Sequence, residues 1–322
     1  MILTSEGLAR AAASSGFRED YLEKSIRLLY LLEAIKDDPF LRSRLVLKGG
    51  TALNLFIMGL PRLSVDIDLN YTGSYEREVM LEERPLVERT LQAICGREGF
   101  RVRRIPSDHA GGKWLLRFDS SLGTESSLEL DINFLLRIPI WDLRTIDSQA
   151  LGEHQAKGIV VLNEHELVAG KAVALLSRRA ARDLFDSHGL LKALSLDADK
   201  LRLAFIVYGG MSRRDWRDVS LEDVGYNTNE LHNALLPTLR NEYATDIKDV
   251  RSWADRMVLE CLEELSILLP LRANEIDFLT SLNDEGEIHP ELLTSDDDLA
   301  RKIERQPGLL WKAQNVKKHR SK

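Results

Sequence analysis

Two cysteines in 322 residues are too few for a disulfide framework. Cys95 and Cys261 stand far apart, in apolar helical contexts, and no paired Cys spacing offers a zinc site. A reducing compartment is therefore the expectation. Long hydrophobic runs are scarce as well. No stretch approaches the roughly 20 apolar residues of a membrane helix, and the best candidates, 201–207 and 265–271, fall well short. The first twenty residues lack the basic stretch and apolar run of a signal peptide, so a cytoplasmic protein with no membrane partner is expected. Positive charge is in deficit. Lys and Arg number 44 against 51 Asp and Glu, which leaves a net charge of −7. That balance argues against broad non-specific nucleic-acid binding. Basic residues still cluster locally at Arg101, Arg103 and Arg104, at Arg213, Arg214 and Arg217, and in a tail over 317–322. Each cluster is either a solvated face (a frayed end, for the tail) or an RNA contact. Low-complexity tracts and fixed-period repeats are also missing.

What is present is an ordinary globular composition, 44% hydrophobic and 30% charged. Residues 19–36 carry Tyr21, Leu22, Ile26, Leu29, Leu32 and Ile35 at helical spacing. A short buried strand follows at Leu45, Val46 and Leu47, then Lys48, Gly49 and Gly50. Thr51 is positioned to cap the next helix, which Gly59 and Pro61 end. Residues 75–98 read as helix. Residues 100–105 and 113–119 read as strands around a Gly111-Gly112 turn, and 126–136 as a further strand. Residues 137–160 show no regular pattern. From Asn163, an N-cap with Glu166 in capping-box position, the pattern turns helical over 164–178, on to about 190, and then over 197–208, 228–243, 247–269, 274–283 and 296–306. The expected fold class is α+β, with a catalytic domain over 1–158 and a mainly helical domain over 159–322.

The chemistry concentrates in residues 45–69. Two glycines permit close backbone approach and unusual φ/ψ. The helix beginning near Thr51 aims free N–H groups and its positive dipole end at the same place, where phosphate binds well. Asp66 and Asp68 are two apart on a strand, so both carboxylates leave one face while Val65, Ile67 and Leu69 pack on the other. Carboxylates ~4–5 Å apart repel by a few kcal/mol at an effective dielectric near 20. Either one takes a proton or a cation sits between them. A divalent ion with oxygen ligands, magnesium above all, reverses the penalty, and this is the usual arrangement in phosphoryl and nucleotidyl transfer. The competing reading is an exposed edge strand with two solvated aspartates. Lys48 and Arg62 flank the loop as triphosphate contacts, Lys48 equally as a solvated side chain. Ser64 faces the Asp66 side as a phosphate contact or a turn cap. Trp141, Trp216, Trp253 and Trp311 read as packing residues, and the seven histidines show no ligand spacing.

The run G-G-T-A-L followed by R-x-S-x-D-I-D-L resembles the nucleotidyltransferase family of abortive-infection toxins, the AbiEii type that includes the MenT toxins. More broadly it is similar to the polymerase-β-like nucleotidyltransferase superfamily. The resemblance covers roughly residues 40–190. It implies a mixed-sheet nucleotidyltransferase core and a third carboxylate on a later strand. Asp131 stands in that kind of position, and Glu129 on the same face is its rival. It also implies a helical Lys and an Arg-Asp pair, matched by Lys171, Arg178 and the segment Arg182-Asp183, with Asp186 three residues on. Lys171 and Arg178 are seven apart and share a helix face, which suits either triphosphate neutralisation or a surface salt-bridge cluster.

Taken together, the resemblance implies Asp66, Asp68, Asp131 and Lys171 as catalytic residues, the three aspartates holding Mg²⁺ (or Mn²⁺). Lys48, Gly49, Gly50, Thr51, Arg62, Ser64, Arg178 and Asp183 are the implied nucleotide-binding residues. The NTP is the implied substrate and a cognate antitoxin the implied partner. The implied activity is transfer of a nucleoside monophosphate to the 3′ end of tRNA, which blocks translation. Transfer to a protein or small molecule, and a non-catalytic nucleotide-binding module, are the alternatives.

Overall fold

The computed structural model describes residues 3–105 and 111–320, with only the backbone of Arg104 and Ile105. The chain divides into two compact units. The first comprises Met1–Arg137, Leu143–Leu162 and Leu235–Lys248, and the second the remainder.

In the first unit, helices α1 (Ser5–Ser15) and α2 (Glu19–Asp37) precede the sheet. The apolar stripe expected on α2 is the face it buries, through Leu22, Ile26, Leu29, Leu32 and Ile35. Strand β1 (Leu45–Lys48) leads directly into α3 (Gly49–Thr51). The helix has begun by Gly49, so Thr51 lies inside it and is not its cap, as the sequence had suggested. Over Ala52–Ile57 the turns widen to π geometry, with the Met58 amide donating to the Leu53 carbonyl at 2.8 Å. Such widened turns are frequent at functional sites.

Strand β2 (Asp66–Tyr71) is followed by α4 (Arg77–Arg97), β3 (Arg101–Ile105), β4 (Gly111–Asp119), β5 (Glu125–Asn133), β6 (Arg144–Ile146) and β7 (Ile159–Val161). The last two lie where the sequence showed no regular pattern. Gly111 and Gly112 open β4 and are not the expected turn; the link between β3 and β4 lies outside the described residues. Among the described residues the strands form one mixed sheet in the order β3-β4-β5-β2-β1-β7-β6. β2 therefore lies inside the sheet, antiparallel to β1 and parallel to β5. Its side chains at Ile67 and Leu69 are buried, each stabilising the fold by roughly 1.5–3 kcal/mol.

The second unit contains α5 (Glu164–Arg178), α6 (Ala181–Ala193), α7 (Ala198–Gly210) and short α8 (Thr228–Glu230). The single helix expected over 228–243 is broken into short pieces, with Pro237 at the start of one. Of these, α9 (Asn241–Asp246) belongs to the first unit. The second unit continues with α10 (Val250–Glu264), α11 (Ala273–Thr280), α12 (Asp297–Glu304) and α13 (Pro307–Arg320). Of the basic residues read as a tail, Lys317, Lys318, His319 and Arg320 lie on α13, and Lys322 lies outside the described residues.

Glu166 departs from its expected capping role. Asn163 does cap α5, accepting from the His165 amide. The buried Glu166 carboxylate turns away from it, accepting from the Ile140 and Trp141 amides at 3.1 and 3.0 Å and from the Tyr208 hydroxyl at 2.5 Å. Among the tryptophans, Trp216 is fully buried against Phe205, but Trp311 is 53% exposed and does not pack as expected. Both cysteines are free and buried, and burial pushes their thiols up to about 12. Among the described residues no helix is long and apolar enough to cross a membrane.

Candidate active site

Strand register assembles the site. Across β1 and β2, Lys48 lies opposite Asp68. Across β2 and β5, Asp66 lies beside Glu129 and Asp68 beside Asp131. Across β5 and β4, Asp131 lies opposite Lys113. Residues in register point to the same side of a sheet. Asp66, Asp68, Asp131, Glu129, Lys48 and Lys113 therefore share one face, while Leu47, Ile67, Leu69, Leu130 and Ile132 are buried on the other.

The phosphate-loop glycine and the carboxylates touch. Gly49 has φ +72°, and a Cβ added there would lie 2.8 Å from Asp68 Cγ and 2.9 Å from its Cβ. Only a residue without a side chain lets the Asp68 carboxylate sit against this turn. The Thr51 hydroxyl is 2.5 Å from the Asp66 carbonyl, to which it donates, and 2.8 Å from the Ser64 hydroxyl. The Ser64 carbonyl in turn accepts from the Ser25 hydroxyl on α2 at 2.9 Å. Two elements, α2 and α3, thus hold the start of β2 in place.

Three expected nucleotide contacts are turned inward by these bonds. Thr51 and Ser64 are buried, so their hydroxyls serve the scaffold, and only the Thr51 amide remains suited to phosphate. Arg62 is 2% exposed and donates to the Leu63 carbonyl at 2.8 Å, which takes its guanidinium out of solvent. Lys48, Gly49 and Gly50 are half-buried beside the carboxylates.

The two candidates for third carboxylate differ in their surroundings. Glu129 forms an ion pair with Lys113 at 2.6 Å. Asp131 stands next to Asp68, and its pKa is raised, first by desolvation and then by the Asp68 charge, against the pull of Lys48 and Lys113. A cation added at this point relieves the repulsion, and carboxylate oxygens suit a hard divalent ion. The donor set of Asp66, Asp68 and Asp131, set against a turn that a single methyl would fill, fits such an ion. Lys113 is the residue that sequence reasoning missed. Its alternation with buried Trp114 and Leu116 was legible, but the strand it faces was not.

In the second unit, Lys171 joins Asp183 and Asp186, each at 2.9 Å. Arg178 reaches Asp183 at 2.7 Å. Both carboxylates are fully buried, whereas Arg178 is 66% exposed. Burial works to raise the Asp183 carboxyl, but Lys171 and Arg178 outweigh it and hold it below the ordinary aspartate value. Removing one partner of a buried pair strands the others. We therefore expect Lys171→Met to lower stability by roughly 3–5 kcal/mol, and Arg178→Ala by under ~1 kcal/mol because that pair is solvent-screened. Chemical denaturation of the two variants checks this, and equal small losses would refute it. The folded-state Asp183 value lies below the unfolded one. Its contribution is therefore present in full above about pH 4 and is lost as pH falls through the folded value.

A model of the nucleotidyl transferase AbiEii toxin of type IV toxin–antitoxin systems matches residues 30–259. The chain belongs to this family. The toxin is thus a nucleotidyltransferase, and membership implies an NTP substrate and an antitoxin partner. Its structure is similar to that of MenT4, a nucleotidyltransferase toxin from Mycobacterium tuberculosis H37Rv. The TM-score is 0.58 at 19% identity, covering 96% of this chain and 99% of that one. At that identity the likeness is one of fold. Curated proteins yield no match.

Proposed function

We propose that this toxin transfers a nucleoside monophosphate from an NTP to the 3′ end of tRNA, using Mg²⁺ or Mn²⁺ held by Asp66, Asp68 and Asp131, and so blocks translation. The observation that carries the metal-site reading is the packing of Asp68 against Gly49 with Asp131 in register beside it. The backbone amides of Gly49, Gly50 and Thr51 bind the terminal phosphates, with Lys48 adding charge. When bound, the divalent ion offsets the converging carboxylates and polarises the α-phosphoryl group. Asp131 aligns the attacking hydroxyl and takes its proton. The hydroxyl oxygen forms a bond to the α-phosphorus, the α–β phosphoanhydride bond breaks, and pyrophosphate leaves. Lys171, assigned by family resemblance, offsets charge on that leaving group. Arg178 and Asp183 support Lys171. The tRNA acceptor rests on the resemblance, as does the translational block. A cytoplasmic setting accords with the two free, buried thiols.

The test is incubation of the protein with total tRNA, Mg²⁺ and each α-labelled NTP separately, with Asp66→Ala as control. Label in tRNA from one NTP, absent in the control, is expected. Label in protein, or pyrophosphate release without labelled tRNA, would discard the RNA acceptor and keep the transferase.

A further inference from the structure

The second unit carries a cavity of about 520 Å³ with no part in the chemistry above. One wall is α13, which contributes Trp311, Lys312, Asn315, His319 and Arg320. These positions recur at helical spacing and share a face. The opposite wall is Ser212 and Arg213, just beyond α7, with Asn283 and Asp284.

The lining is strongly cationic for a chain of net charge −7. Arg213 is exposed and makes no ion pair among the described residues. Lys312 donates to the Ser212 carbonyl at 3.2 Å, and Arg320 to the Asp284 carbonyl at 3.0 Å. The one acidic wall residue, Asp284, is already held by both terminal nitrogens of Arg217, at 2.7 and 2.9 Å. Arg217 is shared with Asp215, at 2.6 Å, so that cluster keeps one negative charge, set against Arg213, Lys312 and Arg320 on the cavity wall. Trp311 stands among these cations, 53% exposed and with no ring partner among the described residues. A half-exposed indole with no ring stacked on it among the described residues is an informative departure from the usual burial of large apolar groups.

An open aromatic face flanked by an excess of cations matches one ligand chemistry, a planar base joined to phosphate. The volume suits one nucleotide unit, and Lys317 and Lys318 continue the positive charge along the same helix. That continuation favours a strand over a free nucleotide. We propose that this cavity binds single-stranded RNA, with one base stacked on Trp311 and the flanking phosphates on Arg213 and Arg320. The choice of RNA over DNA rests on the acceptor proposed above, whereas the site itself does not.

The experiment is fluorescence anisotropy of a labelled single-stranded RNA of about 12 nucleotides with the full chain, without NTP or metal. Trp311→Ala is expected to weaken binding roughly 10-fold, with Trp311→Phe retaining most of it. Arg213→Ala is expected to reduce the salt slope by about 0.7, the value for one phosphate lost on a single strand. Both sites are exposed, so the variants should melt within a few degrees of the parent. Unchanged affinity in both variants would overturn the proposal. So would equal competition by polyglutamate, which would mark an acidic-protein surface, or a fall in oligomeric mass on Trp311→Ala, which would mark a self-association surface. Equal binding of DNA of the same sequence would overturn the choice of RNA. Asp66→Ala is expected to bind RNA normally, so a failure of label transfer alone counts against the transferase reading and not against this site.

Discussion

Asp66→Ala and Asp68→Asn are each expected to abolish nucleotidyl transfer while leaving the fold intact. Both carboxylates stand on the polar face of β2, whose packing face is supplied by buried Ile67 and Leu69. Neither aspartate contributes to that packing, so removing a charge leaves the core unchanged. Asp68→Asn even relieves repulsion with Asp131, whose carboxyl is perturbed by the Asp68 charge. Folding stability should therefore hold or rise slightly. Activity is expected to behave differently, because on the proposed reading a divalent ion held by these carboxylates stabilises charge worth several kcal/mol of barrier. Losing a ligand is expected to cost at least ~1000-fold in turnover. Parallel measurement of pyrophosphate release and thermal melting checks both halves. Turnover within tenfold of the parent in either variant would refute the assignment.

The second large effect is expected at Gly49→Ala. The left-handed backbone at φ +72° strains any L side chain, by roughly 1–2 kcal/mol. The added methyl would also overlap the Asp68 side chain, whose Cγ and Cβ lie 2.8 and 2.9 Å from the point it would occupy. Either Asp68 rotates away or the turn shifts, and both displace the amides proposed to bind phosphate relative to the carboxylates. A misplacement of ~1 Å costs on the order of 100-fold in rate. Gly59→Ala is the control. Gly59 shares the left-handed backbone, at φ +68°, yet a Cβ there meets nothing within 4 Å. It is therefore expected to lose a similar increment of stability while keeping its rate. If Gly49→Ala and Gly59→Ala had equal turnover, the contact with Asp68 would have no catalytic meaning.

Much of the site was legible because its signals are local. The alternation through Asp66 and Asp68 states which side chains share a face, and a period of two needs no knowledge of partners. The same holds for the strand, Gly-Gly and helix order over 45–57, and for Lys171 and Arg178, seven apart on one helix. Errors arose where a local pattern had two outcomes. Thr51 and Ser64 have the right chemistry for caps or phosphate contacts, but their hydroxyls bond to each other and to the Asp66 carbonyl. Glu166 matched a capping box, but it is bound by amides and a hydroxyl distant in sequence.

The sequence by itself determined the carboxylate pair, the permissive turn before it, and the order in which a sheet-forming stretch precedes a helical one. It did not determine the units, since Leu235–Lys248 returns to the first and Ile138–Asp142 belongs to the second. Tertiary structure decided which neighbours each later carboxylate has. The β2–β5 register sets Asp131 beside Asp68 and Glu129 beside Asp66, and Lys113 on β4 then pairs with Glu129. It also decided that Arg62 is buried and Trp311 is not. The physical reason is common to these cases. A side chain's direction follows from its own backbone, but its neighbours follow from strand register and packing between segments far apart in the chain, and a slip of one residue in register would exchange every one of them.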